Sequence, residues 1–127
     1  MKYEEAIDIV FERFPEFANS KELEEGYDKD IPTLVYSGFA DYFIKLVNSS
    51  NNPDNALSVI EICKFLDEMA MSKDKKTIDL LITGFFEGLD WVRDNAKQSI
   101  TVLQKLLHEP ARTYLKNLME WKPSSKK

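Results

Sequence analysis

Apolar residues recur along this chain at steps of three and four, and nowhere at a sustained step of two. That spacing collects side chains on one face of a 3.6-residue helix, so it predicts helices and no sheet. Tyr3, Ile7, Val10, Phe11 and Phe14 predict an amphipathic helix over residues 2–14, ended or kinked by Pro15. The segment FANSKELEEGYDKD, residues 17–30, predicts a short helix around residues 20–25 with Gly26 as its stop. Pro32 opens a longer helix carrying Leu34, Val35, Phe39, Tyr42, Phe43, Leu46 and Val47. NSSNNPDN, residues 48–55, is a polar loop in which Asn52 resembles an N-cap and Pro53 a first helical residue. The helix from Pro53 to about Ser72 buries Val59, Ile62, Cys63, Leu66, Met69 and Ala70. A short turn capped by Ser72 or Asp74 leads into a helix from about Lys75 to Val92. Residues 96–107 and 110–121 predict two more, divided near His108-Glu109-Pro110. The class is all-α: five or six helices with short connections, expected to pack as antiparallel neighbours. Residues 1–121 read as one domain and KPSSKK, residues 122–127, as a flexible basic tail.

The stretch ITGFFEGLDWV, residues 82–92, has apolar character on two sides of its helix. At 100° per residue, Ile78, Leu81, Ile82, Phe85, Leu89 and Val92 share a core face, with Phe86 at its edge. Gly88 invites close approach of a neighbouring helix. The opposite side carries Leu80, Gly84, Glu87 and Trp91. Either this helix is central and buried on both sides, or Leu80 and Trp91 form an exposed apolar patch beside Glu87, a pattern typical of partner surfaces.

Composition narrows the class. With 127 residues, 43% hydrophobic and 12% aromatic, the chain is long enough for a core that needs no staples. The N-terminus is acidic and amphipathic, unlike a secretory leader, and no apolar run approaches the ~20 residues that span a bilayer. A cytoplasmic protein with no membrane partner is therefore expected. Charge is uneven: residues 1–30 carry net −6, residues 31–121 net −2, and the tail +3. Overall net charge is −5, which argues against nucleic acid as a partner, since that needs clustered cations to displace counterions from phosphate.

Catalytic signatures are missing. One cysteine, Cys63, and one histidine, His108, exclude a disulfide framework and make a zinc site improbable. Cys63 falls on the apolar face of its helix, as a packed thiol does, and His108 falls at a helix end, suited to a solvated or capping role. No phosphate-cradling glycine loop is present. YDKDIP, residues 27–32, begins like a calcium loop but lacks its glycine, and Phe39 stands where the twelfth-position acid belongs. The expectation is a protein that is not an enzyme and holds no cofactor or metal.

Binding remains. Glu22, Glu24, Glu25, Asp28 and Asp30 surround Tyr27, as either a solvated acidic loop or a docking surface for a basic protein. Glu87 and Trp91 supply a second candidate contact. Two motifs carry a resemblance: Phe65-Leu66-Asp67-Glu68-Met69 and Phe85-Phe86-Glu87-Gly88-Leu89, each within an apolar helix, with a charged turn between. Residues 55–92 resemble a HEAT or armadillo helix pair, and residues 32–47 do so loosely. The same core is similar to small bacterial domains that look like immunity proteins of polymorphic toxin systems. The resemblance implies a HEAT-like bundle that neutralises a cognate toxin by blocking its active or substrate-binding face. It assigns no binding residue. The alternative is a helical adaptor or regulatory protein that holds a partner, or a second copy, through the Leu80/Trp91 face.

Overall fold

The computed structural model describes residues 1–24 and 30–121; the side chains of Glu22, Glu24 and Trp121 lie outside that description. Every regular element among the described residues is helical, so the fold is all-α. A 3₁₀ turn at Tyr3–Glu5 feeds α1 (Ala6–Arg13). Pro15 breaks the helix there and starts α2 (Pro15–Ala18), followed by α3 (Lys21–Glu24). Pro32 stands in the first turn of α4 (Pro32–Asn48), where its missing N–H is not needed.

The start of the next helix differs from the sequence expectation. Pro53–Asn55 form a 3₁₀ turn, the Asn52 side chain caps nothing, and Ala56 is extended before α5 (Leu57–Ala70) begins. The detour buries Pro53 beneath the loop, so the proline packs instead of opening the helix. Asp74 does cap α6 (Lys75–Leu80), accepting from the Lys76 N–H at 3.0 Å. The helix continues through a π turn at Leu81–Phe86 into α7 (Glu87–Trp91), then α8 (Lys97–Leu106) and α9 (Ala111–Trp121).

The helical wheel misplaces several residues of this helix, and the π turn accounts for those that follow it. A π turn holds more residues than an α turn and shifts the phase of everything after it. Ile78 and Ile82, placed on the core face by a uniform 100° step, are only half-buried, and Val92 is exposed. Leu80, Phe86 and Asp90 are buried instead. The helix is thus enclosed on several sides as far as Asp90, with α4, α5 and α9 all against it.

Two glycines set the closest approach. A β-carbon at Gly84 would lie 2.8 Å from the Tyr36 Cβ, and one at Gly88 would lie 3.1 Å from the Ala40 Cβ. The Ser37 hydroxyl crosses the seam to donate to the Gly84 carbonyl at 3.2 Å. Gly84 facing Tyr36 and Gly88 facing Ala40 is an offset of 48 residues at both points, so α4 and the α6–α7 helix run parallel. Consecutive α4 and α5 are antiparallel, as short connections predict: Phe39 meets Phe65, while Tyr42 and Leu46 line one groove with Leu57 and Ile62. Small residues let the parallel pair pack more intimately than the antiparallel one, because backbone meets backbone without intervening side chains.

Around this three-helix centre the core is aromatic. Phe14, Phe17, Phe39, Phe65 and Phe85 meet at ring distances of 4.9–6.1 Å. Tyr36 is fully buried and its hydroxyl donates to the Ala6 carbonyl at 2.8 Å, which ties α1 to α4. Arg13 seals that side: its guanidinium lies 5.1 Å over the Phe65 ring and forms two bonds with Glu68, at 3.0 and 3.1 Å.

Candidate functional site

The end of α7 and the turn after it present the largest exposed apolar side chain among the described residues. Trp91 is 83% exposed and Val92 beside it is also exposed. Leu80, by contrast, is 1% exposed and Gly84 lies on the seam with α4. The Leu80/Trp91 contact face is therefore corrected. The side that carries Leu80, Gly84 and Glu87 turns into α4 or is half-buried, and only its last member emerges.

Trp91 projects from a fixed mount. Asp90, 5% exposed, accepts from Arg93 Nε at 2.9 Å and from its Nη2 as well. The same Nη2 reaches across to the Met119 carbonyl at 3.3 Å on α9. From the other side, the Asn48 amide donates to the Asn95 carbonyl at 3.3 Å, joining the turn to the end of α4. Within the turn, the Asn95 and Ala96 N–H groups bond the Val92 carbonyl, and Ala96 is buried. An open hollow of about 400 Å³ runs beside the indole, bounded by residues 90–95. A tryptophan on a pinned turn loses little freedom when a partner covers it.

The sequence named Trp91 and Glu87 but missed the mount. Asp90 and Arg93 stand at i, i+3 spacing, which was legible as an ion pair. That Asp90 is buried and Arg93 bonded to Met119 depends on where α9 lies, which no local pattern reveals.

Of the acidic candidates, Asp30 is exposed just ahead of α4 and already has an interaction partner. Glu25, Tyr27 and Asp28 lie outside the described residues, as do the side chains of Glu22 and Glu24. By the parallel register Trp91 stands level with residue 43 of α4. Asp30 and Trp91 are thus separated along the helix axis by something on the order of 15–20 Å, at 1.5 Å per residue.

The remaining chemical candidates are Cys63 and His108. Cys63 is buried, and burial, with the Asp67 carboxylate adding to it, pushes its thiol up to about 12. His108 is exposed, its ring Nδ1 2.9 Å from Asp67 and its backbone N–H 3.0 Å from the other Asp67 oxygen. The imidazole thus anchors the α8–α9 junction to α5, and no hydrogen bond joins it to the thiol. Among the described residues, no group of three or more His, Cys, Asp or Glu could hold a metal ion, and no helix is long and apolar enough to cross a membrane.

No curated protein and no solved structure matches the chain. A family model does, over residues 7–122, from within α1 to just past α9. The chain belongs to that family, described as a domain of unknown function (DUF7674).

Proposed function

We propose that this chain is a non-enzymatic protein-binding domain that engages a basic partner through Trp91. In its most specific form it is an immunity-type protein that covers the functional face of a bacterial toxin domain. The observation that carries the reading is a tryptophan 83% exposed on a turn held by Asp90, Arg93 and Met119. Covering an indole removes roughly 150–200 Å² of mostly apolar surface, a gross gain of about 4 kcal/mol. Tryptophan is among the residues that most often dominate binding energy at interfaces. The net −6 of residues 1–30 supports a basic partner, drawn in by long-range attraction before the indole docks. A standard interface covers about 800 Å² per partner, so it is wide enough to span the axial distance between Asp30 and Trp91.

The test is co-expression with the product of the neighbouring gene, reading growth and complex formation. The reading expects the neighbour to be toxic, the chain to restore growth, and Trp91→Ala to lose both rescue and complex. A harmless neighbour that forms no complex would sink the immunity form. Full rescue by Trp91→Ala would remove Trp91 from the contact. A second reading, a helical adaptor that binds through Trp91 and Val92 alone, is favoured by the exposure of Val92 alongside the indole. Salt separates the two: an acid-steered complex forms more slowly as ionic strength rises, and an apolar one does not.

A further inference from the structure

α1 lies across the seam between α4 and α5 and closes only part of it. Phe14 packs on Phe39 and Phe65 at 5.2 and 5.3 Å, which plugs the seam at that level. At Pro15 the helix breaks into α2, whose buried Phe17 packs on Phe39 and Tyr42, and Pro15 and Glu16 border the part of the seam that stays open. The result is a groove of about 280 Å³, floored by Phe14, Tyr42, Leu46 and Ile62. Leu57, 73% exposed, stands at its open edge.

The charges around this groove are not balanced. Arg13 lines it but is committed to Glu68, and Lys64 leans on Glu61 at 3.6 Å. Glu16, also in the lining, has no ion pair among the described residues.

We infer that this groove is a second docking surface, which receives an amphipathic basic helix of a protein partner. Apolar side chains of that helix fill the strip between Tyr42 and Leu57. A lysine or arginine on its flank reaches Glu16. An acidic helix is repelled at that corner, and a purely apolar one leaves Glu16 without a counter-ion. This surface is separate from Trp91: Tyr42 and Ala40 stand about 200° apart around α4, and Ala40 faces α7.

The probe is a synthetic Leu/Lys peptide of roughly four helical turns, apolar at steps of three and four, with a Leu/Glu peptide of the same pattern as control. Affinity is read by fluorescence anisotropy and position by amide chemical shifts. The Leu/Lys peptide is expected to bind, with shifts confined to Tyr42, Leu46, Leu57, Glu61 and their neighbours. Leu57→Gln weakens it about tenfold, and Glu16→Gln, which removes one exposed ion pair, about two- to fourfold. Trp91→Ala leaves it unchanged, so failure here is distinct from failure of the Trp91 reading. Asp79→Asn, an equal charge change near the other end of α4, also leaves it unchanged. The inference is overturned if Asp79→Asn weakens binding as much as Glu16→Gln, which marks unspecific attraction, or if Leu57→Gln has no effect. It is equally overturned if the chain dimerises and Leu57→Gln abolishes the dimer, since the groove then belongs to a second copy.

Discussion

Gly84→Ala is the sharpest test of the parallel seam. The added methyl would sit 2.8 Å from the Tyr36 Cβ and 3.2 Å from a Leu80 methyl. Leu80 can rotate, but the Tyr36 Cβ is held by the α4 backbone in every rotamer and cannot move aside. Relief therefore requires α4 and the α6–α7 helix to separate, which disturbs the ring packing of Phe39 on Phe85. Overpacking of this kind costs about 1–3 kcal/mol, and a Cβ–Cβ approach of 2.8 Å that no rotamer relieves takes the upper half of that range, roughly 2–3 kcal/mol. Alanine recovers about 0.8–1.0 kcal/mol through its higher helix propensity. The net is a loss of roughly 1–2 kcal/mol, or a fall in Tm of about 3–8 °C. Gly88→Ala meets the Ala40 Cβ at 3.1 Å and the Ser37 Cα at 3.3 Å, so its net effect lies nearer zero. Urea unfolding followed by circular dichroism measures both, with equal m-values required for the comparison. If Gly84→Ala is as stable as the native chain, or Gly88→Ala is the more damaging, the seam is not built as described.

Trp91→Ala should change stability by less than about 0.5 kcal/mol, as an exposed substitution, whereas Arg93→Ala removes the ion pair from the buried Asp90 carboxylate and should cost roughly 1–3 kcal/mol in the same assay. That figure sits below the range for fully buried pairs because Arg93 keeps 31% of its side chain in solvent. Stability should also fall on acidification. Hydrogen bonds from Arg13 hold the Glu68 carboxyl below its ordinary value, and the Tyr3 N–H does the same for Asp74. Both carboxylates then stabilise the fold above their unfolded pKa of about 4, and the contribution is lost as pH drops through the lower folded values. Urea midpoints measured from about pH 6 to pH 3 should show this decline, and Glu68→Gln should flatten it. Cys63 should resist thiol reagents near pH 8 in the native protein and react on unfolding, because its buried thiol is pushed up to about 12. Fast native labelling would mean that α5 opens locally.

The helices were legible because their apolar spacing is local. Pro15, Pro32 and Asp74 act within a turn of their own positions and did what their chemistry predicts. What the sequence hid is non-local or phase-dependent. The π turn at Leu81–Phe86 shifts the phase of the residues after it, so Asp90 is buried and Val92 exposed, whereas the burial of Leu80 and the half-exposure of Ile78, ahead of the turn, depend on how the neighbouring helices lie. Gly88 was read as a point of close approach, but that the partner is α4 running parallel depends on α5 returning the chain between them. The HEAT-like pairing implied by residues 55–92 makes α5 the main partner of the next helix, whereas α4 has the larger share of that contact. Trp91 was named from its place on a wheel, yet its isolation from Leu80 followed from burial that a wheel cannot assign. The groove went unseen because Arg13, Leu46 and Leu57 come from three separate helices.

The 48-residue offset of the glycine seam has a kinetic meaning. Contacts this distant in sequence close a large loop, and the entropy of that closure must be met before the seam gives anything back. The α4–α5 hairpin has a shorter span and buries its own aromatic contacts, so it is the natural first structure. Only after α5 has reversed the chain can Gly84 and Gly88 find Tyr36 and Ala40. The seam therefore belongs to the late part of folding, and substitutions there should act mainly on the unfolding rate. Because Trp91 is carried on the same helix, its mount is assembled only when the chain is nearly native, and a partly folded chain cannot present it.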